Sequence, residues 1–322
     1  MQPAPFHGEI TTAPEGAMAV WTESADGVRL RLAVLGPATG ARCLGTVLLF
    51  PGRTEFVEKY GPAATDLARR GFACVSIDWR GQGLSDRMLD DPATGHVGTF
   101  AEYQRDVDAL MAAVEAWNLP RPYFLIGHSM GGAIGLRAIH QGLPVAAALF
   151  TAPMWGIRLH PAIRPVARIL SALSHATGYG HTYAPGTRPA NYISVTPFAD
   201  NTLTTDPEMF DWMRQQIAAQ PELSLGGPSM SWLNAALREI RELQTLPPPA
   251  IRCEAWIGSG ERIVDSQSIR ALVARWPDGR LVEVAGAAHE IMMERPETRL
   301  ALYDAAAALF ATAAGRDGGA AA

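Results

Sequence analysis

Ser129 lies in Gly127-His128-Ser129-Met130-Gly131, a G-x-S-x-G pattern with the apolar run YFLI before it and a helical pattern, Met130 to His140, after it. A serine hydroxyl is a weak nucleophile. To attack a carbonyl it needs a base, an acid that orients the base, and donors for the oxyanion that develops. A strand-to-helix turn of this pattern puts the serine at the tip of a sharp, strained bend, and glycines two positions either side let strand and helix pass. The chain order that goes with such a turn is serine, then acid, then histidine. Of the eight histidines, His289 is the best placed base, because it follows the run LVEVAG in the small-residue loop GAAH. His128 adjoins the serine, but neighbouring residues on a turn point apart, so it suits a core or pocket-wall role.

The acid is expected in the loop SGERIVD, after the run CEAWIG. Glu261 stands just past the end of that run, where the loop faces the site, and is the favoured partner for the histidine Nδ1–H. Asp265 is the alternative, although Asp265-Ser266 before Ile269, Leu272 and Val273 also reads as a helix N-cap. The oxyanion donors should be main-chain N–H groups. Met130 supplies one; Arg53, in the loop PGRTEF, supplies the other, since Gly52 lets the chain turn and Pro51 has no N–H. The Arg53 side chain is expected to pair with Glu55 or Glu58, with contact to an anionic substrate group as the alternative. No histidine-carboxylate cluster has metal-ligand spacing, and this chemistry requires neither metal nor cofactor.

These residues need a frame. AMAVWTE and VRLRLAVLG read as a hairpin joined by SADG, and TVLLF, FACVSID, YFLIGH, AALFTAP, CEAWIG and LVEVAG as further strands. Helical patterns cover Val57 to Arg70, Phe100 to Trp117, Met130 to His140 and Glu297 to Phe310. Strands that are apolar throughout, each followed by a helix, indicate an α/β protein whose mostly parallel, eight-stranded sheet is covered on both faces. The alternation stops near Met154 and resumes near Ile251. Between them lie only helical stripes: Val166, Ile169, Leu170 and Leu173; Met209, Phe210, Met213 and Ile217; Met230, Leu233, Leu237 and Ile240. The expected organisation is a core of residues 1–153 and 250–315, a helical cap of 154–249 and a disordered tail of 316–322. Trp155, Met209, Phe210, Met213 and Met230 are candidates to line an acyl channel beside His128, though packing the cap onto the core would use the same residues.

Composition narrows the partners. The chain has 322 residues and a net charge of −5, with no basic stripe of the kind a nucleic-acid binder carries. Cys43, Cys74 and Cys253 are odd in number and far apart, which fits free thiols in a reducing compartment. The N-terminus lacks the basic start and apolar core of a signal peptide, and no apolar run approaches the roughly 20 residues of a membrane span. A cytoplasmic protein is expected. Apolar cap residues would permit loose peripheral contact with a membrane, although no basic amphipathic helix supports it. The oligomeric state is not legible.

The segments LLFPGRTEFVEKY, DWRGQGLSD, GHSMGG, GSGERIVD and GAAHEIMMERPE together resemble the α/β-hydrolase subgroup of monoacylglycerol lipases and bacterial L2-type lysophospholipases. The likeness runs from about Thr22 to Phe310, and TTDPEMFDWMRQQIAAQPELSLGGPSMSWL in the cap resembles the lysophospholipase-type members. It implies a serine carboxylic-ester hydrolase acting on a single-acyl lipid, with Ser129 as nucleophile, His289 as base, and Arg53 and Met130 as oxyanion donors. Two positions depart from the family pattern: Pro51-Gly52 replaces the usual His-Gly, and Glu261 stands where aspartate is common. Alternative functions are an esterase or thioesterase on shorter soluble acyl substrates, and a binding protein that keeps the fold without the chemistry. An aspartate-nucleophile dehalogenase or epoxide hydrolase is disfavoured by the serine itself.

Overall fold

A computed structural model describes residues 1–36, 43–160 and 162–317. Among these described residues nine strands form one sheet in the order β1-β2-β3-β5-β4-β6-β7-β8-β9. They are β1 (Gln2–Ala4), β2 (Met18–Glu23), β3 (Arg29–Val34), β4 (Gly45–Phe50), β5 (Phe72–Asp78), β6 (Tyr123–His128), β7 (Val145–Thr151), β8 (Arg252–Gly258) and β9 (Gly279–Val284). The first three and the β3–β5 pair are antiparallel, and every pair from β5 to β9 is parallel. The eight expected strands are present. The ninth, β1, adds to the antiparallel edge, where Gln2 to Ala4 pair with Trp21 to Ala19.

The central strands are apolar throughout because both faces are covered. Leu48 and Phe50 of β4 enter one core layer with Val107, Leu110 and Val114 of α2 (Ala101–Ala116), Ile134 of α3 (Met130–His140) and Ile269 of α8 (Ser266–Val273). Val47 and Leu49 enter the other layer with Leu67 of α1 (Gly61–Arg69) and Leu302 and Phe310 of α9 (Pro296–Asp317). Cys74 and Cys253 are buried free thiols in β5 and β8. The helix expected from Val57 to Arg70 is a 3₁₀ turn, Val57–Tyr60, followed by α1. Pro62 has no N–H to give, and so fits the first turn of α1. The closing helix continues past Phe310 to Asp317, through the first two residues of the expected tail; residues 318–322 of that tail lie outside the described residues.

After β7 the chain leaves the sheet and returns at β8. Between them are α4 (Ile163–Ala176), α5 (Tyr192–Val195), α6 (Pro207–Ala219) and α7 (Met230–Thr245), with no strand among the described residues. α7 is fastened to the core: Arg137 of α3 pairs with Glu239 at 2.7 Å, and Trp232 Nε1 donates to the Tyr103 hydroxyl at 3.2 Å. α4 rests on α7 and buries Ser171 there. The apolar stripe of α4 therefore faces outward, with Val166, Ile169, Leu170 and Leu173 between 42% and 69% exposed. No helix among the described residues is long and apolar enough to cross a membrane.

Candidate active site

Parallel strands end on one edge of a sheet, and that edge carries every residue singled out for chemistry. Ser129 directly follows β6, with φ 49° and ψ −116°, a region that side chains rarely adopt. The conformation is held from three directions. Its N–H donates to the Thr151 carbonyl at 3.0 Å, and its carbonyl accepts from the N–H groups of Gly132 (2.9 Å) and Met154 (2.8 Å). The adjacent glycine has a sharper reason than strand-to-helix clearance. A Cβ at Gly131 would run into the carbonyl oxygens of Phe50 and Pro51, so the start of α3 lies directly against the end of β4.

That contact sets the loop bearing Arg53 beside Met130, the first residue of α3. The Met130 N–H is among the four that a helix cannot satisfy itself, at the positive end of its dipole. The Arg53 loop is braced by the DWRGQGLSD segment: Trp79 Nε1 donates to the Pro51 carbonyl at 2.9 Å and Gln82 Nε2 to the Gly52 carbonyl at 2.8 Å.

The imidazole and the acid meet across the ends of β9 and β8. His289 Nδ1 lies 2.7 Å from Glu261 Oε2. The other carboxylate oxygen accepts from the N–H groups of Ile263 (2.5 Å) and Val264 (3.0 Å). Burial opposes ionisation of Glu261, but the imidazole and these two N–H groups outweigh it and hold its carboxyl below the usual range. Asp265 is elsewhere: it caps α8, accepting from the Gln267 N–H and the Ser268 hydroxyl, each at 3.1 Å. Gly258 matters here too, because a Cβ on it would strike the carbonyls of Ala287 and Ala288 and push the histidine loop off the β8 end. Glu294 braces that loop by accepting from the Ala288 N–H at 2.7 Å, and Thr202 and Leu203 accept from the N–H groups of His289 (3.3 Å) and Glu290 (2.7 Å).

Behind the imidazole lies a buried charge cluster that sequence reasoning did not find. Lys59 Nζ sits 2.7 Å from Glu55 and 2.6 Å from Glu290. Glu55 also accepts from the Tyr60 hydroxyl and the Gly52 N–H. Burial would push the Glu55 carboxyl up, and the Lys59 ammonium outweighs it; Glu290 is raised, by burial and by the Glu55 charge, with Lys59 acting in the opposite sense. Ligand atoms of Glu55, His128 and Glu290 all lie within 4.8 Å of one another, and the Lys59 ammonium already supplies the positive charge between the two carboxylates. The only advance signal was the density of charge in EFVEKY and HEIMMERPE, which composition alone does not place indoors.

Ser129, His289, Met130 and Arg53 all line one cavity of about 400 Å³. His128 and Met213 line it as well. His128 is buried, with Nδ1 2.9 Å from the Thr151 hydroxyl, and burial draws its pKa down to about 4, against the opposing charge of Glu55. Trp155, Met209, Phe210 and Met230 are buried but do not line it. Trp155 donates to the Gly132 carbonyl at 3.1 Å and stacks on Trp276; Phe210 meets Phe198 edge-on at 5.5 Å; Met209 joins the core layer beside α1 and α9; Met230 is covered at the start of α7. The other walls include apolar residues not anticipated, among them Ile157, Ile193, Leu203, Ile217, Leu233 and Val264, and also Gln216 and the charge-cluster residues Glu55, Lys59 and Glu290. Nor does Arg53 pair with Glu55 or Glu58, because Lys59 holds the first and Arg31 grips the second at 2.7 and 2.8 Å. Its Nη1 donates instead to the Gly226 carbonyl at 2.8 Å.

A mostly parallel sheet of this order, with a strained serine turn after its central strand, makes the protein an α/β-hydrolase. Residues 41–296 match the Hydrolase_4 family, described as serine aminopeptidase S33, and the chain belongs to that family. Lysophospholipase L2 of Escherichia coli (strain K12) is 32% identical over 271 residues, which span 79% of this chain and 76% of that one. A probable lysophospholipase L2 of Haemophilus influenzae is 27% identical over 268 residues, 83% of each chain. Among solved structures, a soluble variant of monoglyceride lipase from Saccharomyces cerevisiae, in complex with a substrate analog, superposes with a TM-score of 0.72 at 17% identity, covering 96% of this chain and 100% of that one. At that identity the likeness concerns the fold. The protein is a carboxylic-ester hydrolase.

Proposed function

We propose that the protein hydrolyses the ester bond of single-acyl lipids, lysophospholipids or monoacylglycerols, through a serine acyl-enzyme. Ser129 Oγ attacks the ester carbonyl as His289 Nε2 takes its proton, while Glu261 accepts the Nδ1–H and stabilises the imidazolium. The N–H groups of Met130 and Arg53 receive the oxyanion. His289 then gives its proton to the leaving alcohol, and in the second half it activates the water that releases the fatty acid. Residues 154–249 act as a cap over this site. The observation that carries the reading is the cavity shared by Ser129 and His289, to which that segment contributes a run of apolar side chains, Met154, Ile157, Ile193, Leu203, Met213, Ile217 and Leu233. An apolar lining of this kind suits an acyl chain. The relatives' names support the same substrate class. The outward stripe of α4 is where the protein would touch a lipid surface.

The test is a panel of initial rates on lysophosphatidylcholine, lysophosphatidylethanolamine, monoacylglycerol and p-nitrophenyl esters of two to sixteen carbons, each with Ser129→Ala in parallel. Preference for long single-chain lipids, lost by about 10⁵-fold or more in the variant, is expected. Turnover of short esters alone would assign the site to soluble acyl substrates. Binding that Ser129→Ala leaves intact, without turnover by the native enzyme, would make it a binding protein.

A further inference from the structure

Arg53 lines the cavity, as do Glu55, Lys59 and Glu290 of the charge cluster, but its guanidinium makes no ion pair among the described residues. Glu55 is held by Lys59, and Glu58 by Arg31. The Arg53 side chain meets the Gly226 carbonyl, at 2.8 Å from Nη1, and the Trp232 ring, 5.7 Å from the guanidinium carbon. A guanidinium offers five N–H donors in a planar fork, so one carbonyl leaves most of the fork unused. Burial lowers its pKa to about 10, with Tyr103 acting in the opposite sense, so the group stays cationic at neutral pH. A desolvated cation without a counter-charge is costly to keep, and it presents a planar fork suited to phosphate oxygens.

We propose that the Arg53 side chain binds the phosphodiester of a lysophospholipid head group, and thereby selects phosphate-bearing single-acyl lipids over monoacylglycerols. The inference rests on the lipid-hydrolase reading above and deepens it. Its geometry follows from one residue serving twice. The Arg53 N–H faces the scissile carbonyl, and in a 1-acyl lysophospholipid the phosphate lies one glycerol backbone away from that carbonyl. An arginine side chain spans a similar length, so one residue holds both ends of the glycerol unit. The aliphatic walls are left to the acyl chain.

The experiment compares kcat/KM for 1-acyl lysophosphatidylglycerol and for 1-monoacylglycerol of the same chain length, in uncharged detergent micelles. The native enzyme, Arg53→Met and Arg53→Lys are measured; both variants keep the main-chain N–H. In Arg53→Met the preference for the phospholipid should fall by about 10- to 100-fold, the range expected for losing hydrogen bonds to a charged group. Most of the loss should lie in KM, and lysine should restore part of it. An unchanged preference, or an equal loss on both lipids, would overturn the inference while leaving the lipid-hydrolase reading standing. A native enzyme that hydrolyses neither lipid would sink the reading itself. If Arg53→Met does not fold, inhibition of p-nitrophenyl butyrate hydrolysis by glycerol 3-phosphate decides on the native enzyme. Competitive inhibition well beyond that by glycerol or inorganic phosphate supports a head-group site. Equal inhibition by inorganic phosphate, or none by glycerol 3-phosphate, refutes it.

Discussion

The ammonium of Lys59 lies 2.6 Å from the carboxylate of Glu290, the residue that follows His289. Since Lys59 also holds Glu55, whose carboxylate accepts from the Gly52 N–H, one buried cation ties the Arg53 loop to the His289 loop. Removing one partner of such a group leaves uncompensated charge indoors. Lys59→Met is expected to cost about 3–5 kcal/mol of folding stability, measured by urea unfolding. Adding Glu290→Gln in that background should return part of the loss, because one stranded carboxylate is gone. If Lys59→Met unfolds at the native urea midpoint, the cluster contributes nothing to stability.

The two carboxylates of the 261–265 loop should separate cleanly in kinetics. Glu261→Gln keeps the shape but loses the charge against His289 Nδ1, and kcat is expected to drop by about 10³- to 10⁴-fold. Asp265→Ala removes an N-cap. It should cost roughly 1 kcal/mol of stability with kcat unchanged. A collapse of kcat in Asp265→Ala comparable to that of Glu261→Gln would reverse the assignment.

His128 makes stability depend on pH in a definite direction. Burial lowers its pKa from 6.5 to about 4, so between those values the unfolded chain binds the extra proton. The contribution of the neutral imidazole is therefore fully present above pH 6.5 and is lost as pH falls towards 4. About 2 kcal/mol should be gone by pH 5. Comparing unfolding free energies at pH 7 and pH 5 for the native protein and His128→Gln isolates this share, and the variant should show the smaller acid loss. Identical losses would mean that His128 is protonated in the folded state.

What the sequence made legible was set by period and by turn chemistry. Central strands such as FACVSID and TVLLF announce themselves because both faces are buried, which removes any polar alternation. Asp265-Ser266 before an apolar-periodic run carries a capping signal, which leaves Glu261, just past the strand end, as the favoured acid. By contrast, β1 contains only Gln2, Pro3 and Ala4, and nothing in three such residues marks a strand. The α4 stripe shows the opposite limit: periodicity reveals an apolar face but not whether anything covers it. Along α6, Met209, Phe210, Met213 and Ile217 share a side, yet only Met213 and Ile217 reach the cavity. That outcome depends on where the helix sits along its length. Sequence proximity also misplaced Arg53, because Lys59 and Arg31 compete better for its acidic neighbours.

The contact of Gly131 with the carbonyls of Phe50 and Pro51 divides the molecule for anyone wishing to change its taste in substrates. Around Ser129 the cavity wall is main chain against main chain, with no adjustable carbon between the β4 loop and α3. A library varied at position 131, or at Gly258 where the histidine loop presses equally close, should return almost nothing but inactive clones. The opposite wall is made of side chains such as Met213, Ile217 and Leu233, which can be enlarged or trimmed without moving the backbone around Ser129. Diversity introduced there should yield new acyl preferences from an unaltered catalyst.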